Sequence, residues 1–105
     1  MSNFQPDIRM TMPTQVILRT FASRPLERLS GADIFKCTGI GSGTIYPVLI
    51  RLEKAGWLKS EKENIDPREA GRPARTFYRL TAQGARRFQR VIASKALPVL
   101  NPRPG

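Results

Sequence analysis

Residues 42–58, SGTIYPVLIRLEKAGWL, constrain the fold more than any other stretch of the chain. Ile45, Val48, Leu49 and Leu52 recur at i, i+3, i+4 and i+7, so their side chains share one stripe of a helix and must face a core. Ser42 can serve as N-cap, its hydroxyl accepting from N–H groups that lack partners in the first turn, and Gly56 supplies a left-handed residue to end the helix. Pro47 conflicts with a start at Ser42, because at the fifth helical position it deletes the bond to Gly43. The spacing therefore predicts a loose or bent beginning, with regular helix from about Thr44. The opposite face carries Gly43, Tyr46, Pro47, Ile50, Arg51 and Lys54. Tyr46 and Ile50 have no reason to face water unless something docks there, so this face is assigned to a partner.

Charge narrows the kind of partner. Eighteen Lys and Arg against 8 Asp and Glu give a formal charge of +10, which favours a polyanion: DNA, RNA or an anionic membrane surface. At 105 residues the chain is one domain, small enough that an oligomer interface would help it bury apolar surface. No apolar run approaches the roughly 20 residues that span a bilayer, and MSNFQPDIRM lacks the apolar core of a secretion signal. The expectation is a cytoplasmic protein with no membrane partner. Cys37 is the only cysteine and histidine is absent, which excludes disulfide frameworks and zinc sites built from Cys and His. Cys37 itself reads as a small buried helix residue. With no nucleophile beside a base and no paired carboxylates in an apolar pocket, no catalytic residue, metal ligand or cofactor site is assigned, and the chain is not read as an enzyme.

In chain order, residues 1–11 are polar, contain Pro6 and read as a flexible N-terminal arm. A helix is predicted from Met12 to Ser23, with Pro13 near its start, Pro25 beyond its end, and Thr14, Ile17, Leu18 and Phe21 on its buried face. Val16 lies off that stripe, on a flank suited to a second element or a second subunit. Leu26 and Leu29 bracket a short connection. Ser30-Gly-Ala-Asp33 then reads as a capping box opening a helix from Gly31 to about Cys37, which buries Ile34 and Phe35 and closes at Gly39. Two short helices joined by a glycine-bearing turn make a helix-turn-helix candidate.

Two strands are expected next. One opens at Trp57-Leu58; the other is Ala74–Leu80, with Thr76, Tyr78 and Leu80 on one side and Phe77 and Arg79 on the other. Between them NIDPREAGRP holds turn signals around a charged tip. A hairpin with a long basic loop, directly after a helix-turn-helix, is the winged-helix arrangement, in which the second helix enters the major groove and the wing reaches backbone or minor groove. Arg68, Arg72 and Arg75 are placed for that contact. Thr81 caps a last helix whose stripe is Ala85, Phe88, Val91 and Ile92, continued by Ala96 and stopped by Pro98, while Arg86, Arg87 and Arg90 make its outer face basic. The fold class expected is mainly α with a small β-hairpin: a winged helix-turn-helix over 12–81, one C-terminal helix over 82–97 and a disordered tail over 98–105.

These motifs together carry a resemblance. Gly43-Thr44-Ile45-Tyr46-Pro47, Leu49, Leu52-Glu53, Gly56, Gly71-Arg72-Pro73, Tyr78-Arg79-Leu80-Thr81 and Gly84 match, in order, the pattern of the PadR family of bacterial winged-helix transcriptional regulators. The resemblance covers roughly Met12 to Gln89. It implies a homodimeric protein that binds double-stranded DNA, commonly a repressor, with the first and last helices building the dimer interface; Val16, Phe88, Val91 and Ile92 fall on those helices. The chain departs from the family at Ala32, where an aromatic residue is more usual, and in a short C-terminal region without tryptophan. The site that some members use for flat aromatic effectors is therefore not carried over, and no small-molecule effector is assigned.

Physical roles follow. Ser42, Gly43 and Thr44 present hydroxyls and free N–H groups at a helix N-terminus, which attracts phosphate. Tyr46, Pro47, Ile50, Arg51 and Lys54 offer base and backbone contacts, with Arg51 suited to a guanine edge. Each assignment has a bland counterpart. Tyr46 can simply cover the core edge, Arg51 and Lys54 can pair with Glu53 or Glu61 on a solvated face, and Arg72 can do no more than stabilise its turn. The alternative function is a module for protein or nonspecific nucleic-acid binding, using Ile50 and Phe77 as an apolar patch.

Overall fold

The computed structural model describes residues 8–93. Helix α1 (Met12–Ala22) begins where the Thr11 side chain accepts from the Thr14 N–H at 3.3 Å, a cap the sequence reading passed over, and Pro13 occupies the first turn, where its missing N–H costs nothing. It buries Thr14, Ile17, Leu18 and Phe21 as expected, and also Gln15, which is wholly enclosed with neither side-chain polar atom paired. Ile8 and Met10, at the end of the expected arm, are partly buried against the core. Residues 1–7, and everything expected of Ala96, Pro98 and the 98–105 tail, lie outside the described residues.

Strand β1 (Leu29–Ser30) leads straight into helix α2 (Gly31–Thr38). The predicted capping box is present in both directions: Ser30 Oγ accepts from the Asp33 N–H at 3.1 Å, and the Asp33 carboxylate accepts from the Ser30 N–H at 2.9 Å. Gly39 closes the helix at φ 77°. Two expectations fail on this helix. Phe35 is 53% exposed and Cys37 is exposed, because an eight-residue helix packs only the stripe of Gly31 and Ile34 against α1 and helix α3 (Ser42–Lys54), leaving Phe35 and Cys37 on its outer sides. Leu26 is likewise exposed, in the connection before β1.

Helix α3 buries the predicted Ile45, Val48, Leu49 and Leu52. Its start differs from expectation: Gly41 is the N-cap, with no side-chain hydrogen bond, its carbonyl accepting from Thr44 and Ile45, so Ser42 lies inside the first turn and the helix is regular before Thr44. Pro47 sits on the exposed face, where the Gly43 carbonyl that loses its helical donor can turn to water. The C-terminus closes with the Trp57 N–H on the Leu52 carbonyl and the Gly56 N–H on the Glu53 carbonyl, around Gly56 at φ 84°.

Strand β2 (Leu58–Lys62) pairs antiparallel with β3 (Thr76–Leu80), Leu58 opposite Leu80 and Glu61 opposite Phe77. The hairpin is extended by a strand that the sequence did not announce: β1 pairs with the other edge of β3, giving a three-stranded sheet in the order β1-β3-β2. Helix α4 (Pro67–Ala70), another addition, forms in the wing because the Asp66 carboxylate accepts from the Arg68 N–H at 3.0 Å and Pro67 opens the turn.

Helix α5 (Ala82–Ala93) starts as predicted at Thr81, whose Oγ1 accepts from the Gly84 N–H at 2.9 Å. The same hydroxyl donates to the Gly56 carbonyl at 2.8 Å, and the Thr81 N–H donates to the Trp57 carbonyl at 2.9 Å. One residue thus binds the end of α3 to the start of α5. Gly84 lies directly over the Trp57 backbone, too close for any side chain. The core joins Ile17, Leu18, Phe21, Ile34, Ile45, Leu49, Leu52, Trp57, Tyr78 and Phe88. Phe88, expected at the subunit interface, is 1% exposed inside its own chain, which corrects that assignment; Val16, Val91 and Ile92 are partly buried.

Candidate nucleic-acid interface

The stripe that anchors α3 in the core dictates what the helix shows outside. With Ile45, Val48, Leu49 and Leu52 buried, the residues about half a turn away point outward, and Ser42, Gly43, Thr44, Tyr46, Pro47, Ile50, Arg51 and Lys54 are all exposed. Tyr46 is 44% and Ile50 48% exposed, so two large apolar groups stand beside two cations on one exposed helix face. The acids expected to pair with those cations are engaged elsewhere. Glu61 takes Arg28 at 2.7 Å and Arg79 at 3.6 Å, and Glu53 accepts from the Ser60 hydroxyl at 2.6 Å. Among the described residues Arg51 and Lys54 have no ion-pair partner, so the solvated-pair reading does not hold in this form.

Tyr46 is positioned by Gly31. Its ring lies against the Gly31 Cα, and a Cβ built there would overlap the phenol. Gly31, Ala32, Phe35, Ser42 and Tyr46 line a hollow of about 330 Å³ between the starts of α2 and α3. The small residue at 32 keeps this hollow open. Gly31→Ala is expected to swing the Tyr46 ring outward while leaving the melting temperature within a few degrees of wild type, because only the far end of a flexible side chain must move. Tyr46 fluorescence quenching and a melting curve check the two halves of that expectation; a large loss of stability with an unmoved ring would refute it.

In the wing the three expected arginines divide. Arg68 and Arg75 are exposed. Arg72 is held by Glu63 in a two-pronged ion pair, Nη1 to Oε1 at 2.8 Å and Nη2 to Oε2 at 2.9 Å. The Arg75 N–H donates to the same Oε1 at 3.1 Å, and the Arg72 and Arg75 bonds hold the Glu63 carboxyl down at about 2. Arg72 is therefore engaged within the wing, the turn-stabilising reading made visible. No local pattern in the sequence singles out Glu63; the strand register, which sets it opposite Arg75, is the signal that finds it. Phe77 is no open patch either, since the Arg28 guanidinium lies 4.4 Å over its ring. Cys37 borders a hollow with Arg24, Arg28 and Lys36. Among the described residues no helix is long and apolar enough to cross a membrane.

Comparison with known proteins places this geometry. A PadR-like transcription factor from Bacteroides fragilis superposes with a TM-score of 0.68 at 24% identity over 81% of each chain, which shows the fold. A PadR family transcriptional regulator from Eggerthella lenta gives 0.64 at 27% identity, over 80% of this chain and 74% of that one. Reduced AbfR bound to DNA, a protein solved from Staphylococcus epidermidis, gives 0.64 at 26% identity over 85% of this chain and 60% of its own. No curated protein matches significantly. The family model of the PadR-like transcriptional regulators matches residues 28–90, from the residue before β1 through α2, α3, the wing and most of α5, and the chain belongs to that family.

Proposed function

We propose that the protein is a DNA-binding transcription regulator that acts in the cytoplasm as a homodimer, with α3 in the major groove and the wing, residues 64–75, on the adjacent backbone or minor groove. The observation that carries this reading is the outer face of α3: Tyr46, Ile50, Arg51 and Lys54 are exposed together, and neither cation is neutralised within the described residues. That a structural relative, AbfR, has been solved on DNA supports it. Ser42, Gly43 and Thr44 fix register on a phosphate, and Arg51 and Tyr46 read base edges. Arg68 and Arg75 add sequence-independent contacts from the wing. The flank of α1 at Val16 and the partly buried Val91 and Ile92 of α5 form the subunit contact, and two copies related by a two-fold axis read a roughly palindromic operator, with the two α3 helices about 34 Å apart. Repression follows where that operator overlaps a promoter. No small-molecule effector, metal or catalysis enters this reading.

Selection from random duplexes at near-physiological salt, followed by titration of the winning sequence, tests it. The expected result is a near-palindromic motif bound about a thousandfold more tightly than random DNA; weak, salt-sensitive binding with no enriched motif would replace this reading by a nonspecific one. On the selected site, Arg51→Ala is expected to cost about 1–3 kcal/mol and to relax preference at one base pair, leaving random-DNA affinity nearly unchanged. Equal loss on both duplexes would make Arg51 a phosphate contact instead.

A further inference from the structure

We propose that Glu63, an acidic residue in a DNA-binding wing, promotes DNA binding as a positioning residue: its carboxylate clamps Arg72 and the Arg75 backbone, and so holds the wing in the shape that presents Arg68 and Arg75 to the phosphates. The inference rests on the DNA-binding reading above and deepens it.

The argument starts from the strand ladder. Lys62 pairs with Thr76, so the next pair of the antiparallel register is Glu63 with Arg75. Half of that pair is ordinary, the Glu63 N–H donating to the Arg75 carbonyl at 2.8 Å. The other half is not. The Arg75 N–H, which in a regular ladder would reach the Glu63 carbonyl, donates to the Glu63 side chain at 3.1 Å. The ladder therefore ends in a side-chain cap, and the same carboxylate reaches across the wing to take both terminal nitrogens of Arg72. Arg72 Nη1 also donates to the Pro73 carbonyl at 3.3 Å, a local bond that folds the guanidinium back on its own backbone. Planar, two-pronged pairing is the geometry in which an arginine fixes orientation as well as charge. Glu63 is the most sheltered member, its side chain 18% exposed against 37% for Arg72.

The segment between these residues has little besides the clamp to fix it against the strands. Helix α4 is four residues long and buries none of its side chains; Asp66 caps its start and Gly71 its end, but both are local bonds, so the wing has little core of its own. Arg68 sits on α4 and Arg75 at the foot of the returning strand; both are exposed and neither has an ion-pair partner among the described residues. A free carboxylate at position 63 would repel phosphate. Held by Arg72, it presents no uncompensated charge and instead spares the two outer arginines the entropy of a mobile loop.

The test turns on a sign. Glu63→Gln removes a negative charge from a surface that meets a polyanion, and a bulk-charge view predicts tighter binding. The clamp predicts the reverse. Binding to both the selected and a random duplex weakens about tenfold, and the slope of log K against log salt falls by about one to two, as Arg68 and Arg75 lose their places. Arg72→Gln is expected to weaken binding by a similar factor, and the double variant to be no worse than either single one, because both break one unit. Hydrogen exchange at the Arg75 amide in the free protein should accelerate in each variant. Unchanged or tighter binding by Glu63→Gln would overturn the proposal, as would additive losses in the double variant, which would make Arg72 an independent phosphate contact. Wild-type protein that binds no duplex would take down the DNA-binding reading itself, and the positioning role with it; the Arg75 amide would then report only whether the clamp holds the wing.

Discussion

Gly84→Val is expected to destabilise the fold by about 3 kcal/mol or more, lowering the melting temperature by more than about 12 °C. A glycine inside a helix is normally a weakness worth about 1 kcal/mol against alanine. Here it is a requirement, because α5 crosses the α3–β2 junction so closely that a Cβ at 84 would lie 2.8 Å from the Trp57 Cα and closer still to its carbonyl oxygen. The obstacle is backbone, and that backbone is already committed: the Trp57 carbonyl accepts from Thr81, and the Trp57 N–H closes α3. Neither partner can yield without breaking a helix end. Thermal melting followed by circular dichroism checks the expectation, and a Gly84→Val protein that melts with wild type would mean that α5 does not dock as described.

The second large effect is expected at Phe88. Truncation to alanine should cost about 3–5 kcal/mol, by lost burial and by the cavity left behind. A domain of this size holds only about 5–15 kcal/mol in total, so Phe88→Ala should be close to unfolding at 37 °C. The decisive reading is its dependence on protein concentration. Stability drawn from a subunit contact falls on dilution, whereas stability drawn from a chain's own core does not. With Phe88 1% exposed as a member of the chain's own core, the deficit should be the same at every concentration. A deficit that appears only on dilution would return Phe88 to the subunit interface, where the sequence first put it.

That misplacement shows what a sequence can and cannot tell about this fold. The stripe of α3, the capping box of α2, the left-handed Gly39 and Gly56 and the Thr81 cap are local: each is fixed within a turn or two of helix, and each was readable. An amphipathic stripe states that a face is buried, not what buries it, so Phe88 and Val91 looked alike. Phe35 and Cys37 were misjudged because α2 is too short to bury more than one narrow face. Strand β1 has two residues, below any detectable alternation, and exists because β3 offers it an edge. Most of the candidate interface was legible, since exposure on α3 is the complement of its core stripe. The engagement of Arg72 was not, because it depends on a partner nine positions away that the strand register sets beside Arg75 and so within reach of the Arg72 side chain.

The junction at Thr81 has a mechanical meaning. A single residue accepts from Gly84 and donates to Gly56 through its side chain and reaches Trp57 through its main chain, so the far end of α3 and the near end of α5 share one knot with no free linker between them. In the dimer proposed above, α5 and α3 then turn together as a crank: tilting α5 against its twin changes the distance between the two reading heads without any rearrangement inside either subunit. Any control of that proposed dimer which leaves the knot intact acts through the angle at which its two halves meet.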